Sequence, residues 1–303
     1  MIDTIKLALR SWEADGIDFI EKVLPGLSLK NPQPLRGDGI SGNLGNMLLY
    51  IWPQKICVSG SLNKWYLEEN YTTMQPEQIP LAIEKLQDVL CLPMEKAKLC
   101  RVDVGVTLPV NEPVANYIDH LGTRSTGERL PYMIDGQTTG VKYRHKTEEL
   151  LFYDKHKESK IHKALIPEDW ALHNALRVEL QTKTSKLMLG QLSTPTITNA
   201  YLDKLAVEYK QIPKTHDVMI NLTNLNWRAA ADLTFIERLG GQEAALQDVK
   251  ERQRKGEFTS TQACRLRKRI KELCELGQPG IIQSPAVVEL DNVISKTIAT
   301  LKR

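Results

Sequence analysis

The chain has 303 residues and a formal net charge of +3, too mild to mark a nucleic-acid binder unless the basic residues are clustered. With 42% hydrophobic residues it can build a real core in one large domain or two ordinary ones, and no run nears the roughly 20 apolar residues that cross a bilayer. The five cysteines are scattered and form no CxxC pair, which speaks against a zinc or disulfide framework and for reduced thiols in a cytoplasm; the opening MIDTIKLALRSWEADG reads as no signal peptide.

Ile2 to Leu9 alternates loosely and predicts a strand. Asn31 to Gly45, rich in Pro, Gly, Asn and Asp, predicts a loop, followed by short strands over Asn46 to Trp52 and Lys55 to Ser59. Pro80 opens an amphipathic helix with Ile83, Leu86, Val89 and Leu90 inward. Leu99 to Val110 is the clearest strand, where Val102, Val104 and Val106 alternate with Arg101, Asp103 and Gly105. Asn111 then caps a helix with Pro113 in its first turn, expected to bury Val114, Tyr117, Ile118 and Leu121. Gly122 to Gly140 predicts a mobile loop. Gly140 to Lys146 and Glu149 to Lys155 predict a hairpin turning at Thr147-Glu148. A helix around Trp170 and Leu172 leads into a strand over Ala175 to Thr182. Beyond Ser185 the pattern is helical: Thr194 to Ile212, Asn226 to Leu239, Gln242 to Lys255 and Thr261 to Leu276, the last two each ending at a glycine. The expected class is therefore α+β, with a sheet domain over residues 1–190 and a helical domain over residues 191–303.

Three of these strands carry polar groups at alternate positions. Arg101 shares a face with Asp103, Tyr153 with Lys155, and Arg177 with Glu179 and Gln181. A half-solvated sheet also shows charged ladders, but Asp and Glu are depleted from strands, so three such strands together invite a chemical reading. Two carboxylates, Asp103 and Glu179, offer hard oxygen ligands for Mg²⁺ or Mn²⁺, which would polarise a phosphate oxygen. A tyrosine phenol needs a neighbouring cation to become a nucleophile, and Lys155 is the expected one for Tyr153. Tyr132 and Tyr143 are rival nucleophiles.

The helix from Thr261 is expected to bury Ala263, Leu266, Ile270 and Leu273 and to present Arg265, Arg267, Lys268, Arg269 and Lys271. With Lys250, Arg252, Arg254 and Lys255 before it, the pair reads as a helix-turn-helix with Arg265, Lys268 and Arg269 as DNA contacts, or as a solvated basic face.

In this order the motifs resemble those of the filamentous-phage replication initiators, the gene II/X endonuclease family. MIDTIKLAL resembles the family's opening strand, and GSLNKW its small-residue and lysine motif, with Lys64 as a phosphate contact. RVD at Arg101 to Asp103 resembles its arginine-x-aspartate strand, and LRVEL at Leu176 to Leu180 its arginine-x-glutamate strand, with Arg101 and Arg177 on phosphate. LLFYDKH at Leu150 to His156 resembles the strand bearing the covalent tyrosine, which falls on Tyr153. The resemblance covers residues 1–190 and continues more loosely through the helical tail. It implies a ferredoxin-like antiparallel sheet, a divalent metal and site-specific nicking of single-stranded or supercoiled origin DNA. It also implies a host helicase and DNA polymerase acting downstream in a bacterial cytoplasm, away from any membrane. Many rolling-circle enzymes bind metal with a His-hydrophobic-His pair, and the six dispersed histidines here form none. Metal binding then rests on Asp103 and Glu179, with Glu68, Glu69 and His156 open as the third ligand. The alternative is a non-catalytic DNA-binding replication or copy-control protein of the same fold. A tyrosine recombinase is disfavoured by the lack of a His-x-x-Arg motif.

Overall fold

The computed structural model describes residues 1–184, 186–215, 217–219, 226–277, 280–282 and 284–302. The chain is mixed α+β and forms two compact units. A sheet unit comprises Met1–Asp119, Thr123–Pro213 and Glu289–Arg303, and a helical unit comprises His120–Gly122 and Lys214–Val288. These units divide the chain differently from a cut after residue 190, because the helix following that point packs with the sheet. No helix among the described residues is long and apolar enough to cross a membrane.

The sheet has ten strands, all antiparallel to their neighbours: β1 (Ile2–Arg10), β2 (Lys30–Leu35), β3 (Gly39–Leu44), β4 (Met47–Trp52), β5 (Lys55–Ser61), β6 (Lys98–Val110), β7 (Glu128–Ile134), β8 (Gln137–His145), β9 (Glu148–Asp154) and β10 (Asn174–Lys183). Their order across the sheet is β2-β3-β4-β5-β1-β6-β10-β9-β8-β7. Because β5 and β6 both pair antiparallel with β1, they run parallel to each other, joined by the helices α2 (Leu62–Leu67) and α3 (Gln78–Leu90). That is a split β-α-β arrangement around β1. A four-residue helix α1 (Phe19–Lys22) precedes β2, with Asp18 accepting from Ile20 N at 2.8 Å as its cap.

The two stretches expected as loops are hairpins instead. Ile134 pairs with Gln137 across Asp135 (φ 46°) and Gly136 (φ 77°), the positive-φ pair that a two-residue turn demands. Leu35 pairs with Gly39 across a turn in which Gly37 and Asp38 have φ of 73° and 55°. The turn between β8 and β9 falls at Lys146-Thr147, one residue earlier than expected, with Lys146 at φ 47°.

One face of the central strands is apolar. Val102, Val104 and Val106 of β6, Leu176, Val178 and Leu180 of β10, and Leu150 and Phe152 of β9 are all buried. The helix α4 (Val114–Asp119) follows β6 and buries Val114 and Tyr117. Two short helices, α5 (Lys155–Ile161) and α6 (Glu168–Ala171), lie between β9 and β10, and Leu172 beyond α6 is exposed. Helix α7 (Pro195–Lys210) buries Leu202, Leu205 and Tyr209, and the Tyr209 ring centroid is 6.0 Å from that of Phe152. In α3, Ile83, Leu86 and Leu90 are buried as expected, but Val89 faces solvent.

In the helical unit, α8 (Trp227–Arg238), α9 (Gln242–Arg254) and α10 (Ser260–Gly277) close around Leu233, Ile236, Ala245, Val249, Ala263 and Leu273. Leu266, expected in this core, is exposed. Two short strands, β11 (Asp217–Met219) and β12 (Gly280–Ile282), pair antiparallel in the same unit. The last helix, α11 (Pro285–Leu301), begins in the helical unit and continues in the sheet unit from Glu289.

Candidate active site

Directly opposed residues of an antiparallel pair share a face, so register decides which side chains meet. Arg177 lies opposite Thr107 of β6 and Tyr153 of β9, Glu179 opposite Gly105, and Gln181 opposite Asp103. Gly140 of β8 lies opposite Tyr153, and Tyr132 of β7 opposite Gly140. The face away from the valines therefore carries Arg101, Asp103, Arg177, Glu179, Tyr153 and Tyr132. Asp3 joins them from β1, where the register shifts between Ile2 and Ile5. Such a bulge keeps both isoleucines in the core while re-aiming the aspartate between them.

The contacts on this face are specific. The Tyr153 hydroxyl donates to Glu179 Oε2 at 3.3 Å, and Gln181 Nε2 donates to Glu179 Oε1 at 2.8 Å. Arg177 pairs with Asp3 through Nη2, donates from Nη1 to Thr107 Oγ1 at 3.0 Å, and brings Nε to 3.9 Å from Glu179 Oε2. Ser61, the N-cap of α2, donates from Oγ to Asp3 Oδ1 at 2.6 Å. Arg101 holds both oxygens of Asp103, at 2.7 and 2.5 Å. Two glycines make the room. A Cβ on Gly105 would stand 2.5 Å from Arg177 Nη2, and one on Gly140 would stand 2.6 Å from Tyr153 Cα. The ring of Tyr132 covers that of Tyr153, with centroids 5.0 Å apart.

Burial and crowded carboxylates set the electrostatics. Burial pushes the Asp103 carboxyl up to about 7; the Arg101 hydrogen bond opposes this, and the charges of Glu179 and Asp3 add to it. Glu179 is raised by burial and then by Asp3, against the pull of Arg177. Burial acts against the Asp3 carboxylate too, but Arg177 and the Ser61 hydrogen bond outweigh it and hold Asp3 below the usual range. The Tyr153 phenol is driven well above its ordinary value by burial, with Glu179 and Glu158 adding and Arg177 opposing. Tyr132 is pushed up to about 12, mainly by burial.

No family model matches the chain, and no curated protein matches it. The site is therefore read from its own chemistry.

Of the residues expected from sequence, Asp103, Glu179, Arg101, Arg177 and Tyr153 come together on one face. Lys155 does not meet the phenol, although its charge acts on Asp3 and Arg177. The strand ends at Asp154, whose carboxylate accepts from Lys157 N at 3.0 Å and caps α5, so Lys155 is the first helical residue rather than the next strand residue. Its buried ammonium pairs with Glu158 and sits 5.6 Å from the Tyr71 ring centroid. The group that meets the phenol is a carboxylate, and the cation acting on it is Arg177. Lys64 is exposed on α2; its motif contributes Ser61 to the cluster through Asp3. Arg265, Lys268 and Arg269 are exposed on α10, in the helical unit. Tyr143 is buried on the apolar side, edge-on to Phe152. Asp3 is the member that sequence reading missed, and its only signal was a lone carboxylate inside an apolar strand.

Two of the three open third-ligand positions are engaged elsewhere. His156 uses Nδ1 with the Tyr71 hydroxyl (3.1 Å) and Nε2 with the His173 carbonyl (2.7 Å), while Glu69 accepts from Thr72 N at 3.0 Å. Glu68 ends α2 in the left-handed region. Among the described residues no three His, Cys, Asp or Glu side chains form a metal-holding group. The donor set fits a hard ion held by few protein ligands. The charge of Glu179 raises Asp103 and that of Asp3 raises Glu179, and Mg²⁺ is commonly bound by one or two carboxylates with water and substrate phosphate completing its shell.

Proposed function

We propose that the sheet unit is a site-specific single-strand DNA endonuclease and strand transferase that starts rolling-circle replication through a 5′-phosphotyrosine at Tyr153. The observation that carries this reading is the Tyr153 phenol held 3.3 Å from the Glu179 carboxylate, on a face shared with Asp103, Asp3 and two arginines. Salt-bridged sheet faces are common, but a buried phenol aimed at a buried carboxylate beside others is a proton-transfer arrangement.

In the reaction, the proton on Tyr153 Oη passes to Glu179 Oε2. The phenolate oxygen attacks phosphorus, the bond from phosphorus to the upstream 3′ oxygen breaks, and that oxygen leaves with the bonding pair and takes up the proton that Glu179 received, passed on through water. The 5′ phosphate stays on the tyrosine, so a later 3′ hydroxyl can rejoin the strand without ATP. Arg177 keeps positive charge beside the phenol, and Gln181 fixes the orientation of Glu179. Asp103 and Glu179 would hold Mg²⁺ or Mn²⁺, which when bound polarises a phosphate oxygen. Strand access requires the Tyr132 ring to move aside, and β7, which carries it, is an edge strand paired on one side only.

The split β-α-β around β1 supports the finer reading of a ferredoxin-like nickase sheet. The substrate on this reading is single-stranded or supercoiled origin DNA in a bacterial cytoplasm, with a host helicase and polymerase extending from the freed 3′ end.

The test uses random single-stranded 40-mers labelled at the 3′ end, with Mn²⁺. A labelled band that resists SDS, present in the parent and lost in Tyr153→Phe, supports the reading. Persistence of the band in that variant removes Tyr153 as nucleophile. The burial of Tyr153 favours one rival, a non-catalytic DNA-binding or copy-control protein of the same fold. That rival predicts salt-sensitive DNA binding and no band from the parent.

A further inference from the structure

Two sides of the α9–α10 pair carry cations, and they differ in how those cations are paired. On the first side, Arg269 lies 3.6 Å from Asp232, and Arg252 bonds Glu257 at 2.7 Å with Asp248 at 3.9 Å. On the second, α9 and α10 enclose an open groove of about 610 Å³, lined by Lys250 from α9 and by Arg267, Lys268 and Lys271 from α10. Glu243 is the one acidic residue among those lining it. Lys268 reaches Glu272 only at 3.9 Å, and Lys250, Arg267 and Lys271 have no ion-pair partner among the described residues. Cys264 and Leu246 also line the groove.

Helical spacing explains the stripe. Positions 264, 267, 268 and 271 follow i, i+3, i+4, i+7 and fall on one side of α10. Ala263, Ile270 and Leu273, on another side of the same helix, fill the core. The arrangement differs from the sequence expectation, which took Arg265, Lys268 and Arg269 as the DNA contacts. Of these only Lys268 lines the groove. Arg269 is turned to Asp232.

We infer that the α9–α10 groove binds the phosphate backbone of duplex DNA, through Lys250, Arg267, Lys268 and Lys271. Charge complementarity identifies the occupant's class. Cations at 267, 268 and 271 along roughly 6 Å of helix, at about 1.5 Å per residue, with Lys250 facing them from α9, match a polyanion with closely spaced charges, and duplex DNA presents one about every 1.7 Å of its axis. The inference rests on the nicking reading only for its choice of DNA among polyanions. Such contacts position a duplex without reading its bases.

The experiment measures binding of the full chain to a fluorescent 25-base-pair duplex of arbitrary sequence, in EDTA, over a series of salt concentrations. Combined Lys250→Gln, Arg267→Gln and Lys271→Gln should make the slope of log Kobs against log salt shallower by about 2 to 3, near 0.9 per lost phosphate contact. A second variant, Lys22→Gln with Lys30→Gln and Lys96→Gln, removes equal charge from exposed positions of the sheet unit and should leave the slope as in the parent. On the unmutated chain, the duplex should slow alkylation of Cys264 while Cys91 and Cys100, also exposed, react as before. Equal slope loss in both variants, an unchanged slope in the groove variant, or unprotected Cys264 would overturn the inference. So would a parent that ignores duplex DNA, as expected if the groove takes an acidic protein instead. The readout involves no strand cleavage, so a missing tyrosine adduct sinks the nicking reading and leaves this one standing.

Discussion

The Tyr153 hydroxyl and the Glu179 carboxylate meet across two paired strands, the phenol donating to Oε2 at 3.3 Å. Tyr153 lies opposite Arg177 in the register, so Glu179 is its diagonal neighbour, reached by side chains rather than by strand pairing. A free tyrosine is about one part in a thousand ionised at neutral pH, and burial makes this one still harder to ionise. The carboxylate lies where the phenolic proton would go. It is itself crowded by Asp3 and shares the face with Asp103, so on the proposed reading the proton acceptor and a metal ligand would be the same residue.

The proposed metal dependence is tested at these two carboxylates. Asp103→Asn and Glu179→Gln should each move the midpoint of a Mn²⁺ titration of adduct formation upward by about tenfold or more, the loss expected when one of two carboxylate ligands is removed. Titration curves that superpose on the parent's would exclude both residues as ligands.

Stability should fall as pH rises in metal-free buffer. Asp103 has a folded pKa of about 7 against an ordinary value of 3.8, so between those values the folded state holds a proton that the unfolded chain has released. Its contribution favours the fold at low pH and is lost progressively toward pH 7. The melting temperature in EDTA should therefore decline from pH 5 to pH 8, and Asp103→Asn should flatten the decline. Asp3, whose pKa is lowered, acts in the opposite sense at lower pH, where protonation weakens its pairing with Arg177. A melting temperature that climbs from pH 5 to pH 8, or an Asp103→Asn profile parallel to the parent's, would contradict this assignment.

The two glycines beside the site should resist substitution. At Gly140 a methyl group would lie 2.0 Å from the Phe152 carbonyl oxygen, a backbone atom that cannot swing away. At Gly105 it would strike the Arg177 guanidinium, which Asp3 and Thr107 hold in place. Each change to alanine should cost about 1–3 kcal/mol in urea denaturation, the range for overpacking a filled site. A loss below about 0.5 kcal/mol, ordinary for surface changes, would mean that the cluster is looser than its geometry implies.

Much of this arrangement was legible in the sequence, for reasons that are local. Alternation along Arg101 to Val106 and Arg177 to Gln181 sorts polar from apolar faces without knowledge of the partner strands. The helices of the second unit announce themselves by period and by glycine stops, and Ala263, Ile270 and Leu273 are buried as their spacing predicts. What sequence did not reveal depends on register and on chain direction. Asp3 enters the cluster only because β1 shifts register between Ile2 and Ile5. Lys155 turns to Glu158 rather than to the Tyr153 phenol because Asp154 turns the chain into a helix, and a period-two reading carries on past that cap. The hairpin at Asp135-Gly136 did leave a local signal, a recognised two-residue turn, which the surrounding glycines and prolines obscured. Leu266 follows the helical period yet faces solvent, because it lies at the margin of the buried stripe of α10.

Peptide mapping of the labelled adduct decides which tyrosine, on the proposed reading, carries the DNA. After trypsin, the label should sit on the peptide Thr147 to Lys155, at Tyr153. Label on Leu130 to Lys142, at Tyr132, would contradict the assignment of the nucleophile while keeping the site.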